Sequence, residues 1–411
     1  MTNEALDRKA RFEDIYMQRG IATFTLDYGK CPPWLFERMV KLGREMTQVL
    51  IDEYGPDEFI KRISDPVWFQ SLGTVLAFDW NAAGVTTILT AALKEAIRGQ
   101  ERQLGIFICG GKGKTSRKTP DEISMWGQRL SLPVQAANNL VYNSKMSAKV
   151  DSSLIQDGFQ IYHHSFFFSK NGAWTVVQQG MNTNNQTARR YHWYSEDIND
   201  LIVEPHSGIA SQIFQPQVLN LTSKNSHKTR TISVQLISDG FQTLMKDIEI
   251  IRKSCNSHNI RIVRKHSSNL SQVVSLEYTP GVYGKESPGF HPGGGARDTL
   301  TLANIEGVEF HNHSVENEDF WNSPYLKRIL QRLADEKPKT YEELLASKGV
   351  GPKTVRALSL VSEIIYGATP SYEDPARYSF AHGGKDATPY PVDRKTYDQT
   401  IAILGDVLRK T

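Results

Sequence analysis

Apolar residues fall at helical spacing through residues 34–99. "PPWLFERMVKLGREMTQVLIDEYG" places Pro33 near a helix start and Gly55 at its end, with apolar positions three and four apart. "DPVWFQSLGTVLAF" and "AGVTTILTAALKEAIRG" predict two further helices, apolar enough to be mostly buried. The period then changes. "FQIYHHSFFFSKNGAWTVVQQGM" predicts two strands joined tightly at Asn171-Gly172, and "ARRYHWY" adds a third. "GFQTLMKDIEIIRKS" returns to a helical period. "YTPGVYGKESPGFHPGGGARD" is dense in Gly and Pro, which predicts a linker.

Beyond that linker the signals are all helical. Asn322-Ser323-Pro324 starts a helix well: a side-chain oxygen caps it, and Pro324 occupies the first turn, where a missing N–H costs nothing. Thr340 and Glu343 fit a capping box for a short helix. That helix breaks at Gly349-Val350-Gly351, and Pro352 opens another. The expectation is an α+β chain. A mixed helical and β-hairpin part spans 1–285, a linker 286–300, and an all-helical helix-hairpin-helix part 301–411.

Glycines around the hairpin let the backbone turn and approach another molecule closely. The following helix offers free N–H groups and the positive end of its dipole, which together seat a phosphate without reading a base. Gly349, Val350, Gly351, Lys353 and Thr354 are therefore expected to contact DNA. The segment "LGIFICGGKGKTSRKTPDEI" fails as a Walker A motif, because Ile108 stands where a glycine is required. A backbone nest with Lys112, Lys114, Arg117 and Lys118 remains an expected phosphate contact.

"FWNSPYLKRIL", "PKTYEELLASKGVGPKTVRAL" and "PYPVDRKTYDQTI" together resemble the helix-hairpin-helix DNA glycosylase superfamily, the endonuclease III and 8-oxoguanine glycosylase group. The resemblance covers roughly residues 318–405. It implies base-excision repair with β-lyase activity, Lys353 as the amine nucleophile and Asp393 as the catalytic aspartate. An amine so used needs a lowered pKa, and an ionised carboxylate would stabilise oxocarbenium-like charge on the sugar. Trp321, Arg377, Tyr378, Phe380, His382 and Tyr390 are the expected pocket for the flipped base. The implied partner is double-stranded DNA with a damaged base or abasic site, and no metal or cofactor is needed. The whole chain is also similar to a mainly archaeal family catalogued as a domain of unknown function. That similarity rests on "RGIATFTLDYGKCPPWLFERMVKL", "DPVWFQSLGTVLAFDW" and "GGKGKTSRKTPDEI".

Two other readings stand beside this one. In the first, the hairpin and basic loops recognise a DNA or RNA structure and break no bond. In the second, a metal-dependent nuclease uses the 151–192 region. His163, His164, Gln178, Gln179, Arg189, Arg190 and His192 would share a sheet surface there, with Asp151 or Asp157 as ligand. Adjacency sends His163 and His164 to opposite strand faces, which argues against a shared metal.

Composition narrows these choices only slightly. A net charge of +3 does not by itself demand nucleic acid, but residues 98–190 carry twelve basic against five acidic side chains. Three cysteines, Cys31, Cys109 and Cys255, without a CxxC pair exclude a disulfide framework or a four-cysteine metal site within one chain. The charged start of the chain does not read as a secretory signal, and no apolar run is of membrane-spanning length. A cytoplasmic protein without a membrane partner is the expectation.

Overall fold

The computed structural model describes residues 19–20, 24–26, 30–77, 81–212, 214–256, 260–263, 308–311, 323–376 and 378–379. These group into two compact units, one from 1–224 and 371–411, the other from 225–370.

The first unit opens with four helices: α1 (Pro33–Tyr54), α2 (Pro56–Ser64), α3 (Pro66–Ala77) and α4 (Ala82–Ala96). Their boundaries follow local chemistry. Pro33, Pro56 and Pro66 each take a first helical position, where proline's fixed φ suits the helix. Asn81 caps α4 by accepting from the Ala83 N–H at 3.0 Å. One stripe of α1, formed by Leu35, Met39, Gly43, Thr47 and Ile51, is buried. It joins a core with Phe59, Ile63, Phe69, Leu72, Leu89 and the sheet residues Phe167, Val177 and Tyr194.

That sheet has seven strands in the order β1-β11-β7-β6-β5-β4-β2. They are β1 (Arg19–Gly20), β2 (Ile106–Lys112), β4 (Gln160–Ser169), β5 (Trp174–Asn182), β6 (Thr187–Tyr194), β7 (His206–Ser211) and β11 (Tyr378–Ser379). From β2 through β7 the pairing is antiparallel, whereas β11 pairs in parallel with both β7 and β1. The β4–β5 hairpin turns where Asn171-Gly172 predicts it, with Gly172 at φ +104°. The short helix α5 (Glu101–Leu104) leads into β2. Helices α6 (Thr119–Arg129) and α7 (Val134–Ser153) pack on the sheet face opposite the N-terminal helices. Every residue of β6 is consequently buried. A small ladder, β3 (Ile155–Gln156) with β8 (Leu219–Asn220), completes the unit.

The second unit contains α8 (His227–Ser238), α9 (Phe241–Asn256), α10 (Pro324–Glu336), α11 (Tyr341–Ala346) and α12 (Pro352–Ile364). It also holds a parallel strand pair, β9 (Ile260–Val263) with β10 (Val308–His311). The helical stretch near 240–254, read from sequence as part of the N-terminal mixed region, thus groups with the hairpin helices. Ser233 on α8 meets Ser362 on α12 at 3.3 Å, and Tyr366 donates to Asp247 on α9 at 3.0 Å. The expectation that 301–411 is all helical needs correction, since Val308–His311 and Tyr378–Ser379 are strands. Each gains backbone partners from a strand remote in sequence, a pairing that local periodicity does not reveal. The proposed linker at 286–300 lies outside the described residues. No described helix is long and apolar enough to cross a membrane.

Candidate nucleic-acid interface

The hairpin in the second unit is built as its residue types require. Ser323 caps α10 by accepting from the Leu326 N–H at 3.3 Å. Thr340 caps α11 through the Glu343 N–H at 3.1 Å. The Glu343 carboxylate reaches back to the Lys339 N–H at 2.7 Å, one residue before the position a standard capping box would use. Between α11 and α12 the chain turns at Gly349, whose φ is +85°. A Cβ there would stand 2.5 Å from Ile329 Cδ1, so this glycine serves both the turn and the packing on α10. Val350 is 4% exposed and anchors the loop.

Two of the loop's carbonyls are occupied by side chains of α10. Arg332 donates to the Lys348 carbonyl and Tyr325 Oη to the Gly349 carbonyl, both at 3.0 Å. At the start of α12 the first i→i−4 bond runs from the Val355 N–H to the Gly351 carbonyl at 3.1 Å. The amides of Lys353 and Thr354 precede it and belong to the first turn, where helices leave N–H groups without intrahelical partners. Gly351 caps without a side chain, and a Cβ built on it would meet nothing within 4 Å. Lys353 is half-buried, and Thr354, backbone included, is 2% exposed. The hairpin leaves open space at Gly351, with Lys348 exposed and Lys353 half-buried.

In the first unit, the glycine- and lysine-rich segment follows the edge strand β2 and forms a 3-10 turn over Gly113–Lys118. Lys112, Lys114, Arg117 and Lys118 are all exposed. Gly110 anchors its base. The Gly110 N–H donates to Glu122 Oε2 at 2.9 Å. Lys94 Nζ bonds both the Gly110 carbonyl at 3.0 Å and Glu122 Oε2 at 2.6 Å. The outward-facing backbone groups of an edge strand are thereby satisfied at this residue.

The polar residues of the 151–192 region are neither on one face nor on the surface. Strand alternation and pairing divide them, and helices bury both sets. His164, Gln178 and Arg189 face α7 and its following loop, whereas His163, Gln179, Arg190 and His192 face α3 and α4. On the first face a chain of hydrogen bonds runs from Ser144 Oγ to His164 Nε2 (2.9 Å), and from His164 Nδ1 to Gln178 Oε1 (2.9 Å). It continues from Gln178 Nε2 to Asp151 Oδ2 (2.5 Å), while Asp151 Oδ1 meets His206 Nε2 (2.5 Å). Because a glutamine oxygen only accepts, His164 carries its proton on Nδ1, and Ser144 donates to Nε2.

On the second face His163 Nε2 meets Thr90 Oγ1 at 3.2 Å and Ser165 Oγ at 3.1 Å. Arg190 is held by Gln70 at 3.3 Å, Thr86 at 3.2 Å and the Pro66 carbonyl at 3.2 Å. Its guanidinium also lies over Phe69, 4.6 Å from the ring centroid. Burial, with His164 and Lys112 nearby, pushes His163 down to about 3. Burial and the neighbouring Arg190 hold His192 well below the usual histidine range. Burial also lowers His164, against the opposing pull of its bond to Gln178 and of Asp151.

Both aspartates of the nuclease reading are committed to protein donors. Asp151 accepts from Gln178, Trp193 and His206. Asp157 accepts from Arg189, Tyr191 and the Phe159 N–H. Among the described residues no group of three or more His, Cys, Asp and Glu side chains is placed to hold a metal ion.

Asp393, Trp321, Arg377, Phe380, His382 and Tyr390 lie outside the described residues, and Tyr378 is described only as backbone in β11. Two contributors to the hairpin, Arg332 and Tyr325, were missed in the sequence because their contact is to backbone carbonyls. Their only sequence signal was a position on α10 one and two turns apart.

These features define an α+β protein of two compact units, one carrying a seven-stranded sheet and the other a glycine-turned helical hairpin. The chain belongs to the DUF763 family, described as a protein of unknown function, whose profile matches residues 20–392. No curated protein and no solved structure matches the chain.

Proposed function

We propose that the second unit binds the sugar–phosphate backbone of nucleic acid through the hairpin at 347–354. The single observation that carries this reading is the polarity of the loop. The Lys348 and Gly349 carbonyls are occupied by Arg332 and Tyr325, while the loop and the start of α12 keep exposed Lys348, half-buried Lys353 and open space at Gly351 for a partner. Such an end favours an anion, and a phosphate fits where a side chain on Gly351 would project. The contact positions the protein and carries no base readout. The test is fluorescence anisotropy of the full chain with a labelled duplex across a salt series. Gly351→Glu is expected to weaken binding at least tenfold without changing thermal stability. Binding unaltered by that substitution sinks the reading.

A second reading adds chemistry at the same hairpin: base excision with β-lyase activity on damaged or abasic duplexes. Its support is the placement of Lys353, half-buried, in the first turn of α12, where the resemblance to the glycosylases puts the Schiff-base lysine. The implied partner Asp393 would stabilise positive charge on the sugar. Borohydride trapping on abasic duplexes separates the two readings. An adduct lost in Lys353→Gln supports the lyase, an adduct that survives places the nucleophile elsewhere, and no adduct leaves binding alone.

A further inference from the structure

The end of β2 and the turn after it hold four cations within seven residues, Lys112 to Lys118. None of the ion pairs among the described residues involves Lys112, Lys114, Arg117 or Lys118. The turn is also held in shape. Gly111 and Gly113 have φ of +144° and +61°. Ser116 Oγ bonds the Gly113 carbonyl at 2.6 Å, and Thr119 Oγ1 the Ser116 carbonyl at 2.7 Å. The Lys94–Glu122 pair clamps Gly110 at its base. Like charges fixed in this way repel one another, and a bound polyanion relieves that repulsion.

Tyr162 belongs to the same surface. Lys112 Nζ lies 5.8 Å from the centre of its ring. Gln179 Nε2 donates to the Tyr162 hydroxyl at 2.5 Å and to the Ala83 carbonyl at 2.9 Å. The phenol oxygen therefore accepts from buried Gln179, which fixes the ring under Lys112. His163, opposite Lys112 in the β2–β4 ladder, is buried and keeps its Nδ1 without a partner.

The spread of charge favours a polymer over a single ion. Six residues of 3-10 helix extend about 12 Å. A duplex carries one phosphate charge per ~1.7 Å of its axis, so a turn of this length faces several phosphates. We propose that Lys112, Lys114, Arg117 and Lys118 form a second nucleic-acid contact, in the first unit, that grips the sugar–phosphate backbone separately from the hairpin, with the Tyr162 ring supporting Lys112.

The test uses the full chain with Lys112, Lys114, Arg117 and Lys118 all replaced by Gln, titrated with a labelled duplex at several salt concentrations. Each lost phosphate contact makes the plot of log K against log salt shallower by about 0.9, so a change of about 3 to 4 is expected. Because the four side chains are exposed, melting temperatures should match wild type. An unchanged slope in the quadruple variant overturns this proposal and leaves the hairpin reading standing. A shallower slope combined with unaltered binding by Gly351→Glu supports the turn and removes the hairpin. Equal competition by polyphosphate or polyglutamate at matched charge overturns the assignment to nucleic acid. Absence of any duplex binding by wild type overturns both.

Discussion

Arg189 and Asp374, 185 positions apart, are joined by two hydrogen bonds of 2.8 and 2.7 Å inside the first unit. Arg189 also donates to Asp157 at 2.9 Å, so one guanidinium holds two carboxylates. Asp374 accepts in addition from the Gln215 N–H at 2.6 Å and the Ala376 N–H at 2.9 Å. The ion cluster thus fixes the segment around 371–376 to the sheet, next to the parallel strand β11.

Replacing Arg189 with Met should destabilise the first unit by about 3–5 kcal/mol, because two buried carboxylates lose their cation. Arg189→Lys should recover only part of this, since one ammonium does not reproduce a planar fork. Urea unfolding followed by tryptophan fluorescence reads the effect. A loss below about 1 kcal/mol for Arg189→Met would show that the cluster does not secure the segment.

The two hairpin glycines should respond differently to alanine. Gly349→Ala meets Ile329 at 2.5 Å and requires a left-handed backbone, so a loss of about 1–3 kcal/mol is expected. Gly351 has extended backbone and open space, so Gly351→Ala should change stability by less than about 0.5 kcal/mol. Equal effects in thermal melts would contradict the geometry of the turn.

Removing the Glu122 carboxylate should loosen the base of the basic turn. Glu122→Ala strips the Gly110 amide of its acceptor and Lys94 of its counter-charge, at a cost of about 1–2 kcal/mol. Hydrogen exchange at the Gly110 amide should accelerate by at least tenfold. Unchanged protection there would mean the clamp is dispensable.

Acid should destabilise the first unit through three buried histidines. His163, His164 and His192 all titrate below the ordinary range of about 6.5 in the folded state. Their contribution to stability is therefore complete above that value and is lost as pH falls, because the unfolded chain takes up protons that the folded one refuses. Each adds a slope of up to about 1.4 kcal/mol per pH unit below 6.5. For His163 this continues down to about 3. Urea midpoints measured between pH 8 and pH 5 should fall steeply only in the lower half of the range, and a flat profile would refute neutral burial.

Much of the local structure was legible in the chain. Pro33, Ser323, Pro324 and Thr340 mark helix starts by chemistry that acts within a few residues, whereas the short helix Pro56–Ser64 and the Asn81 cap were not read from the sequence. Asn171-Gly172 and Gly349-Val350-Gly351 fix turns for the same reason. The hairpin and the basic turn were therefore visible as motifs before any packing was known.

The destination of the polar residues in 160–192 was not legible. Period-two alternation assigns His163 and His164 to opposite faces but does not say that helices will cover both, so residues expected at a surface became buried networks. The same holds for Asp374, whose partner Arg189 is set by where a distant segment returns. The sequence by itself determined helices, turns and their caps, because those depend on neighbours within one or two turns. Only the tertiary structure decided which polar groups are buried, which side chains bond the hairpin's carbonyls and which cations stay in solvent, because those follow from contacts between segments far apart in the chain.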